Sequence, residues 1–114
     1  MKRFLAVFTI NVEKMAAFQQ SADVQQRSQE GVAAWHQWMA DHAAVVVDAG
    51  GPLSRTLAVS AAGIADARNN LGGYLVVQAE SQAAAAQLFV NHPSFAIFPG
   101  EGVEVMEILP IPGK

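Results

Sequence analysis

Two histidines are the side chains of this sequence best suited to acid–base chemistry. His42 falls on the apolar face of a predicted long helix, near its C-terminal end, where a buried imidazole can titrate near neutral pH. His92 precedes Pro93, and residues before proline avoid the helical region, so His92 is predicted to end a second helix. A structural alternative stays open for each: a core histidine bonded to a carbonyl for His42, and a helix cap for His92.

Three further polar side chains interrupt apolar segments. Asp48 follows a β-branched run beside the turn Gly50–Pro52, and Arg55 begins the segment that returns from this turn. The two residues are predicted to form a cross-strand ion pair, or to serve a site in which Arg55 binds a substrate carboxylate and Asp48 is the base. Tyr74 has an apolar body and a polar tip, which suits either a pocket rim or an interface.

These five residues define the predicted ligand pocket. We expect the long helix, the second strand and the end of the second helix to line it. The first residues to test there are His42, Asp48, Arg55, Tyr74 and His92. Each is polar in an apolar segment, where burial without a partner is costly. Arg55 favours an anionic ligand.

The sequence argues against several other kinds of site. It contains no cysteine, which excludes disulfides, thiol nucleophiles and zinc–thiolate sites. Its three histidines form no pair at i,i+4 spacing, so no metal site is expected. The pairs Gly50-Gly51 and Gly72-Gly73 lack the spacing of a phosphate-binding loop. With no cofactor motif, any reaction is expected to be cofactor-free.

Charge and hydropathy narrow the class of protein. The net charge is −3 and the basic residues are not clustered, so nucleic acid is not an expected partner. The apolar run Phe4–Ile10 is too short for a signal peptide, and no run approaches the ~20 residues of a membrane span, so a cytoplasmic protein is expected. Charged residues make up 15%, against about 25% in ordinary domains, which predicts surface hidden in a subunit interface.

The pattern of residues predicts one α+β domain over 1–114, with strand–helix–strand order in each half. The predicted strands are 3–10, 45–49, 55–60, 71–79 and 102–109, with a loop over 61–70. The predicted helices are a short one from the cap Asn11 to Gln20, a long one from Ser21 or Asp23 to about Ala43, and one over 81–91. The long helix carries an apolar stripe of Val24, Ser28, Val32, Trp35, Met39 and His42.

The predicted sheet is apolar on both faces. Two or three helices can cover only one face of an antiparallel sheet of four or five strands. Face-to-face packing with a second copy covers the other face in the simplest way. The pattern therefore predicts a homodimer through the sheet face.

Three short segments, Leu71–Tyr74, His92–Phe95 and Val103–Val105, resemble the YCII-related family, which includes the DGPF proteins. The resemblance implies a ferredoxin-like protomer that dimerises sheet to sheet into a dimeric α+β barrel. Family members proposed to be enzymes pair a histidine on the first long helix with an aspartate before the proline that follows the second helix. Here His36 lies close to the first position and His92 stands at the second. The DGPF tetrapeptide is missing near residues 61–64.

Three functions are compatible with these features. The first is a cofactor-free acid–base enzyme acting on a small anionic molecule, favoured by histidines on apolar faces. The others are a non-catalytic small-ligand-binding protein and a structural homodimer, favoured by the altered His–Asp pair. Two titratable groups within about 3 Å in a concave pocket would distinguish the first from the others.

Overall fold

The computed structural model describes residues 1–113. Its strands are β1 (Lys2–Ile10), β2 (Val46–Pro52), β3 (Thr56–Ser60), β4 (Gly63–Ala67), β5 (Leu71–Ala79) and β6 (Gly100–Glu107). Its helices are α1 (Val12–Gln19), α2 (Val24–Asp41), α3 (Gln82–Gln87) and α4 (Pro93–Ala96). None of these helices is long and apolar enough to cross a membrane.

Four of the strands form the main sheet, in the order β2-β5-β1-β6, with antiparallel neighbours throughout. Leaving out β3 and β4, the chain runs strand, helix, strand, strand, helix, strand, which is a ferredoxin-like protomer. The α+β fold class predicted from the sequence is confirmed. The strands β3 and β4 form a separate two-stranded sheet, inserted between the central strand β5 and the edge strand β2.

The helices pack on one face of the main sheet. Period-2 alternation turns Phe4, Ala6 and Phe8 of β1 toward the same side as Leu75 and Val77 of β5. All five side chains are buried, and they form one core with residues of the helical side, Trp38, Ala85 and Phe89. This core fixes the position of α2 over the sheet.

The opposite, open face of the main sheet is also mostly apolar. Leu5 pairs with Val76 on one side and with Met106 on the other, and Val7 pairs with Tyr74. Glu104, opposite Val7, and Asp48, opposite Val76, each bring a charge to this face. We call this surface the open face: Leu5, Val7, Asp48, Tyr74, Val76, Glu104 and Met106. The prediction of a sheet with two apolar faces therefore agrees with the strand register.

The predicted loop over residues 61–70 is wrong in its middle. Residues 63–67 form β4 in register with β3, from Thr56 opposite Ala67 to Ser60 opposite Gly63. The turn closes because Gly63 adopts φ 109°, and Ser60 Oγ accepts a hydrogen bond from the Ala62 N–H at 3.2 Å. The small residues of β4 gave little strand signal.

The second predicted helix is also corrected. The helix α3 ends at Gln87, and Asn91 turns the chain with a left-handed φ of 60°. His92 then caps a new short helix, α4, in which Pro93 occupies the first turn. His92 therefore begins a helix rather than ending one.

Candidate functional site

A cleft of about 720 Å³ lies on the helical side of the main sheet. The neighbouring strands β1, β5 and β2 form its floor. Its walls come from α1, α2 and the segment between α4 and β6. We call it the aromatic cleft because four rings dominate its lining: Phe8, Phe18, Trp35 and Phe98.

The rings of the cleft contact one another. Phe8 lies 5.1 Å from Trp35 between ring centroids, and Phe98 lies 6.3 Å from Trp35 and 6.1 Å from Phe18. Separations of 4.5–7 Å with tilted or edge-on rings are the favourable arrangement for aromatic pairs. The four rings therefore form a continuous apolar wall.

Two residues of α2 hold this wall in place. Gly31 is buried, and a Cβ there would come within about 2.5 Å of the Phe98 ring, so only glycine leaves room for this ring. Arg27 donates a hydrogen bond to the Ile97 carbonyl at 3.2 Å, and its guanidinium lies 4.9 Å from the Phe18 ring centroid. The segment after α4 is thereby fixed against α2.

Few polar side chains line the aromatic cleft. The polar residues of its lining are Thr9 of β1, Gln19 of α1, Ser28 and His36 of α2, Tyr74 of β5 and Ser94 of α4. His36 is exposed, whereas Ser94 is buried. Within residues 1–113, no lysine or arginine belongs to the lining. The cleft thus has a single imidazole at its surface and no fixed cation.

His92 lies fully buried beside Ser94. Its Nδ1 accepts a hydrogen bond from the Ser94 backbone N–H at 3.0 Å and lies 3.0 Å from Ser94 Oγ. Because an N–H donates to Nδ1, the neutral ring carries its proton on Nε2. Nδ1 has one lone pair, so a hydrogen bond from the Ser94 hydroxyl shares it with the backbone N–H. Through these contacts, Ser94 connects the cleft lining with the buried imidazole of His92.

The surroundings of His92 keep it uncharged. Its ring centroid lies 4.7 Å from that of Trp35, 4.8 Å from that of Trp38 and 5.1 Å from that of Phe8. Within the described residues, Nε2 has no hydrogen-bond partner. Burial lowers the pKa of His92 to about 4, and nearby His42 contributes further to the lowering. His92 is therefore neutral at pH 7.

His42 lies outside the aromatic cleft. It is the C-terminal cap of α2, half-buried, and its Nδ1 lies 2.7 Å from the Trp38 carbonyl oxygen. Its ring stacks on Trp38 with centroids 4.2 Å apart. The sequence predicted deep burial against Trp35, Trp38 and the sheet. The burial is only partial because α2 ends one residue earlier, at Asp41.

Asp48 and Arg55 do not meet. Asp48 is exposed, and its Oδ1 accepts a hydrogen bond from the Gly50 N–H at 2.8 Å. Arg55 instead approaches Asp66 at 3.9 Å, with both side chains largely exposed. The predicted Asp48–Arg55 ion pair is wrong because β3, which follows Arg55, pairs with β4 and not with β2.

Tyr74 borders the aromatic cleft, and its place in the strand register puts its side chain on the open face opposite Val7. The five predicted site residues therefore do not converge on one pocket. The five predicted site residues did not include Ser28, His36 or Ser94, although the family resemblance brought His36 close to the position of the enzymes' histidine. The spacing 28, 32, 36 along one helical face was a signal that could have found two of them, since residues four apart are neighbours on a helix.

Metal ligands are not grouped in the described part of the chain. Among residues 1–113, no three histidine, aspartate or glutamate side chains are close enough together to hold a metal ion.

Comparisons with known proteins support the fold. No protein-family model matches the sequence, and no curated protein is significantly similar to it. Among solved structures, the chain is similar to 5-chloro-2-hydroxyhydroquinone dehydrochlorinase (TftG) from Burkholderia phenoliruptrix AC1100, in complex with 2,5-dihydroxybenzoquinone. The TM-score is 0.54 at 18% identity, and the match covers 91% of this chain and 90% of that chain. This likeness extends over nearly the whole chain and shows a shared α+β fold; membership of the YCII-related family stays a prediction.

Proposed function

We propose that this protein binds a small aromatic molecule with ionisable ring hydroxyls in the aromatic cleft and transfers protons on it without a cofactor. The observation that carries the proposal is the cleft itself. Its volume of about 720 Å³ falls within the ~300–1,000 Å³ typical of small-molecule sites. Its lining joins four aromatic rings to a few polar side chains, as ligand pockets usually do.

The lining favours a flat, weakly acidic ligand. The rings of Phe8, Trp35 and Phe98 offer apolar and edge-to-face contacts to a planar ring. A phenolic hydroxyl can bond to Ser28, His36 or Ser94 and needs no fixed cation. Arg55, from which the sequence predicted an anionic ligand, lies outside the lining. The structural neighbour's complex with 2,5-dihydroxybenzoquinone supports this ligand class by analogy of fold alone.

His36 is the residue we propose as the acid or base. It belongs to the cleft lining and is open to solvent, so it can exchange its proton with water. Ser94 is proposed as the group that orients a ligand hydroxyl, with its own hydroxyl fixed by His92 Nδ1. His42 and Asp48 lie outside the lining, so catalytic roles for them are supported by the sequence alone.

A titration of matched variants tests the binding site. Val32 lines the cleft and is 48% exposed, so Val32→Phe should fill the cleft without disturbing the core. Ala33→Phe places the same side chain on the exposed neighbouring position, outside the lining. We expect calorimetry with 2,5-dihydroxybenzoquinone to show at least a tenfold loss of affinity for Val32→Phe and none for Ala33→Phe. Equal binding by both variants, or no binding by the unmodified protein, refutes the proposal.

The alternative function is non-catalytic binding in the same cleft. It is favoured by His92, which stays neutral at pH 7 and therefore supplies no proton donor of matched pKa. Exchange of ring hydrogens of a bound hydroquinone in D₂O, followed by NMR, separates the two functions. We expect His36→Gln to slow this exchange at least tenfold while leaving affinity within about twofold. Exchange no faster than in solvent for the unmodified protein would establish the non-catalytic alternative.

The protein is also proposed to be a homodimer that packs through the open face. Leu5, Val76 and Met106 form a row across three strands, and in residues 1–113 the helices pack on the other face of the sheet. Apolar surface of this extent is typical of subunit interfaces. A purely structural dimer would keep this interface and leave the cleft without a ligand. The cytoplasmic location stays a prediction.

A further inference from the structure

The β3–β4 hairpin stands apart from the rest of the fold. Its two strands pair with each other, and the main sheet contains neither of them. Their extensive packing is confined to this mutual pairing. A two-stranded hairpin alone is marginally stable in water, so a hairpin of this kind needs a further surface to pack against.

The hairpin has one bulky apolar face. Val59 lies opposite Ile64, and Leu57 shares the side of Val59 because it is two residues away along the strand. These three side chains are 76%, 71% and 51% exposed, in that order. Asp66, opposite Leu57, is the fourth residue of this face and lies 3.9 Å from Arg55, whereas the other face carries only Thr56, Ala58, Ser60, Gly63, Ala65 and Ala67. The bulky residues are thus gathered on one side, as in a strand pair that packs on a partner.

The shape of the molecule indicates where the hairpin extends. The chain measures 54 × 41 × 18 Å, and 18 Å is the thickness of a sheet with one layer of helices. The hairpin therefore extends the molecule along its longer dimensions and does not add to its 18 Å thickness. Its bulky face extends past the body of its own chain.

We propose that the bulky face of the hairpin docks on a second copy of this chain, so that each protomer extends one arm over the other. The inference rests on the homodimer of the proposed function and adds a surface to it. A stable interface buries about 800 Å² per partner, more than three side chains supply. The β3–β4 hairpin, which we call the arm, must therefore add its surface to a larger interface. The open face provides that interface. A two-fold dimer uses both arms in the same way.

Sedimentation equilibrium of two matched variants tests this inference. The triple substitution Leu57→Ser, Val59→Ser, Ile64→Ser removes the bulky face, and Ala58→Ser with Ala65→Ser changes the other face by the same chemistry. We expect the dimer dissociation constant to rise at least tenfold for the first variant and to stay within about twofold for the second. Equal dissociation constants for both variants overturn the inference.

A labelling experiment distinguishes loss of docking from unfolding of the hairpin in the triple variant. The chain has no cysteine, so Val59→Cys introduces a single thiol, and Val12→Cys places one on α1, where the native side chain is 75% exposed. We expect maleimide labelling of Val59→Cys to slow as the protein is concentrated through its dimer dissociation constant. Labelling of Val12→Cys should not change. Unchanged labelling at both positions contradicts the docked arm.

The same measurements separate failure of the arm from failure of the proposed function. If Val76→Glu on the open face dissociates the dimer and the arm variant does not, the arm inference fails and the proposed dimer stands. If the unmodified protein is monomeric, both the dimer and the arm fail. If the arm variant binds 2,5-dihydroxybenzoquinone more weakly while its dimer is unchanged, the hairpin covers its own cleft and the inference is overturned.

Discussion

At the scale of single residues, His92 joins the core to the cleft. The sequence marked it as a polar residue on an apolar helical face, and it is fully buried. The sequence did not indicate that Phe8, Trp35 and Trp38 surround it, because these rings come from β1 and α2, far from His92 along the chain. Its link to Ser94 depends on the short helix α4, which begins at Pro93. This helix was not predicted, because Pro93 was interpreted only as the end of the preceding helix.

The lowered pKa of His92 predicts a loss of stability in acid. The folded-state pKa of about 4 lies below the unfolded value near 6.5, so between these pH values the unfolded chain binds a proton that the folded protein does not. The contribution of the neutral imidazole to the free energy of unfolding is fully present above pH 6.5. It is lost as the pH drops toward 4, by about 3 kcal/mol in all. Denaturant unfolding at a series of pH values measures this loss.

His92→Asn removes the titration and keeps an oxygen that can accept the Ser94 N–H bond. We expect this variant to be less stable at pH 7 and to lose less stability between pH 6.5 and pH 4. His36→Asn, at an exposed position of α2, is the control, and its stability should fall in acid as in the unmodified protein. An equally steep acid loss in His92→Asn would contradict the buried neutral imidazole.

At the scale of elements, strong patterns were predicted well and weak ones were not. The strand β5 matches its prediction from Leu71 to Ala79, and Asn11 caps α1 by accepting a hydrogen bond from the Lys14 N–H, as expected. The strand β4 was missed because three of its five residues are glycine or alanine, which give no strand periodicity. The predicted helix over 81–91 was too long, because α3 ends at Gln87 and residues 88–91 form turns before the chain reaches His92.

The irregular end of β2, which pairs with β5 where the sequence predicted a turn over Gly50–Pro52, allows a matched test of backbone geometry. Gly50 adopts φ 59°, and a Cβ there would collide with the Tyr74 carbonyl, whereas a Cβ at Gly51 would meet no atom within 4 Å. We expect Gly50→Ala to destabilise the protein by about 2 kcal/mol or more, because left-handed strain and a backbone clash add. Gly51→Ala should change the free energy of unfolding by less than about 1 kcal/mol. Equal free energies of unfolding for the two variants, measured by denaturant unfolding, would contradict this description of the β2 backbone.

At the scale of the whole molecule, the open face of the main sheet follows from strand alternation. Leu5, Val76 and Met106 were placed on shared faces by strand alternation, and the register aligns them in a row. The aromatic cleft could not be predicted in the same way. Its rings come from β1, α1, α2 and the segment after α4, and no local pattern records that these meet.

A charge at the centre of the open face tests the proposed dimer. Val76→Glu sets a carboxylate beside Leu5, and its burial in a subunit interface without a partner typically costs several kcal/mol. Light scattering should report a dimer of about 24 kDa for the unmodified protein, twice the 12.1 kDa chain, and a monomer for the variant. Val12→Glu, at the exposed first position of α1, is the control and should stay dimeric. A monomer of the unmodified protein at micromolar concentration would contradict the homodimer.

The most direct test of the central claim, that the aromatic cleft is the ligand site, uses the two tryptophans. Trp35 lines the cleft, whereas the Trp38 indole lies outside the lining and donates a hydrogen bond to the Leu88 carbonyl at 3.1 Å. The two indole N–H signals in a ¹H–¹⁵N spectrum, assigned with Trp35→Phe, can be followed during titration with 2,5-dihydroxybenzoquinone. The proposed site predicts a saturable shift of the Trp35 signal that exceeds the shift of Trp38. Two signals that stay in place at saturating ligand, or a shift of Trp38 alone, would contradict it.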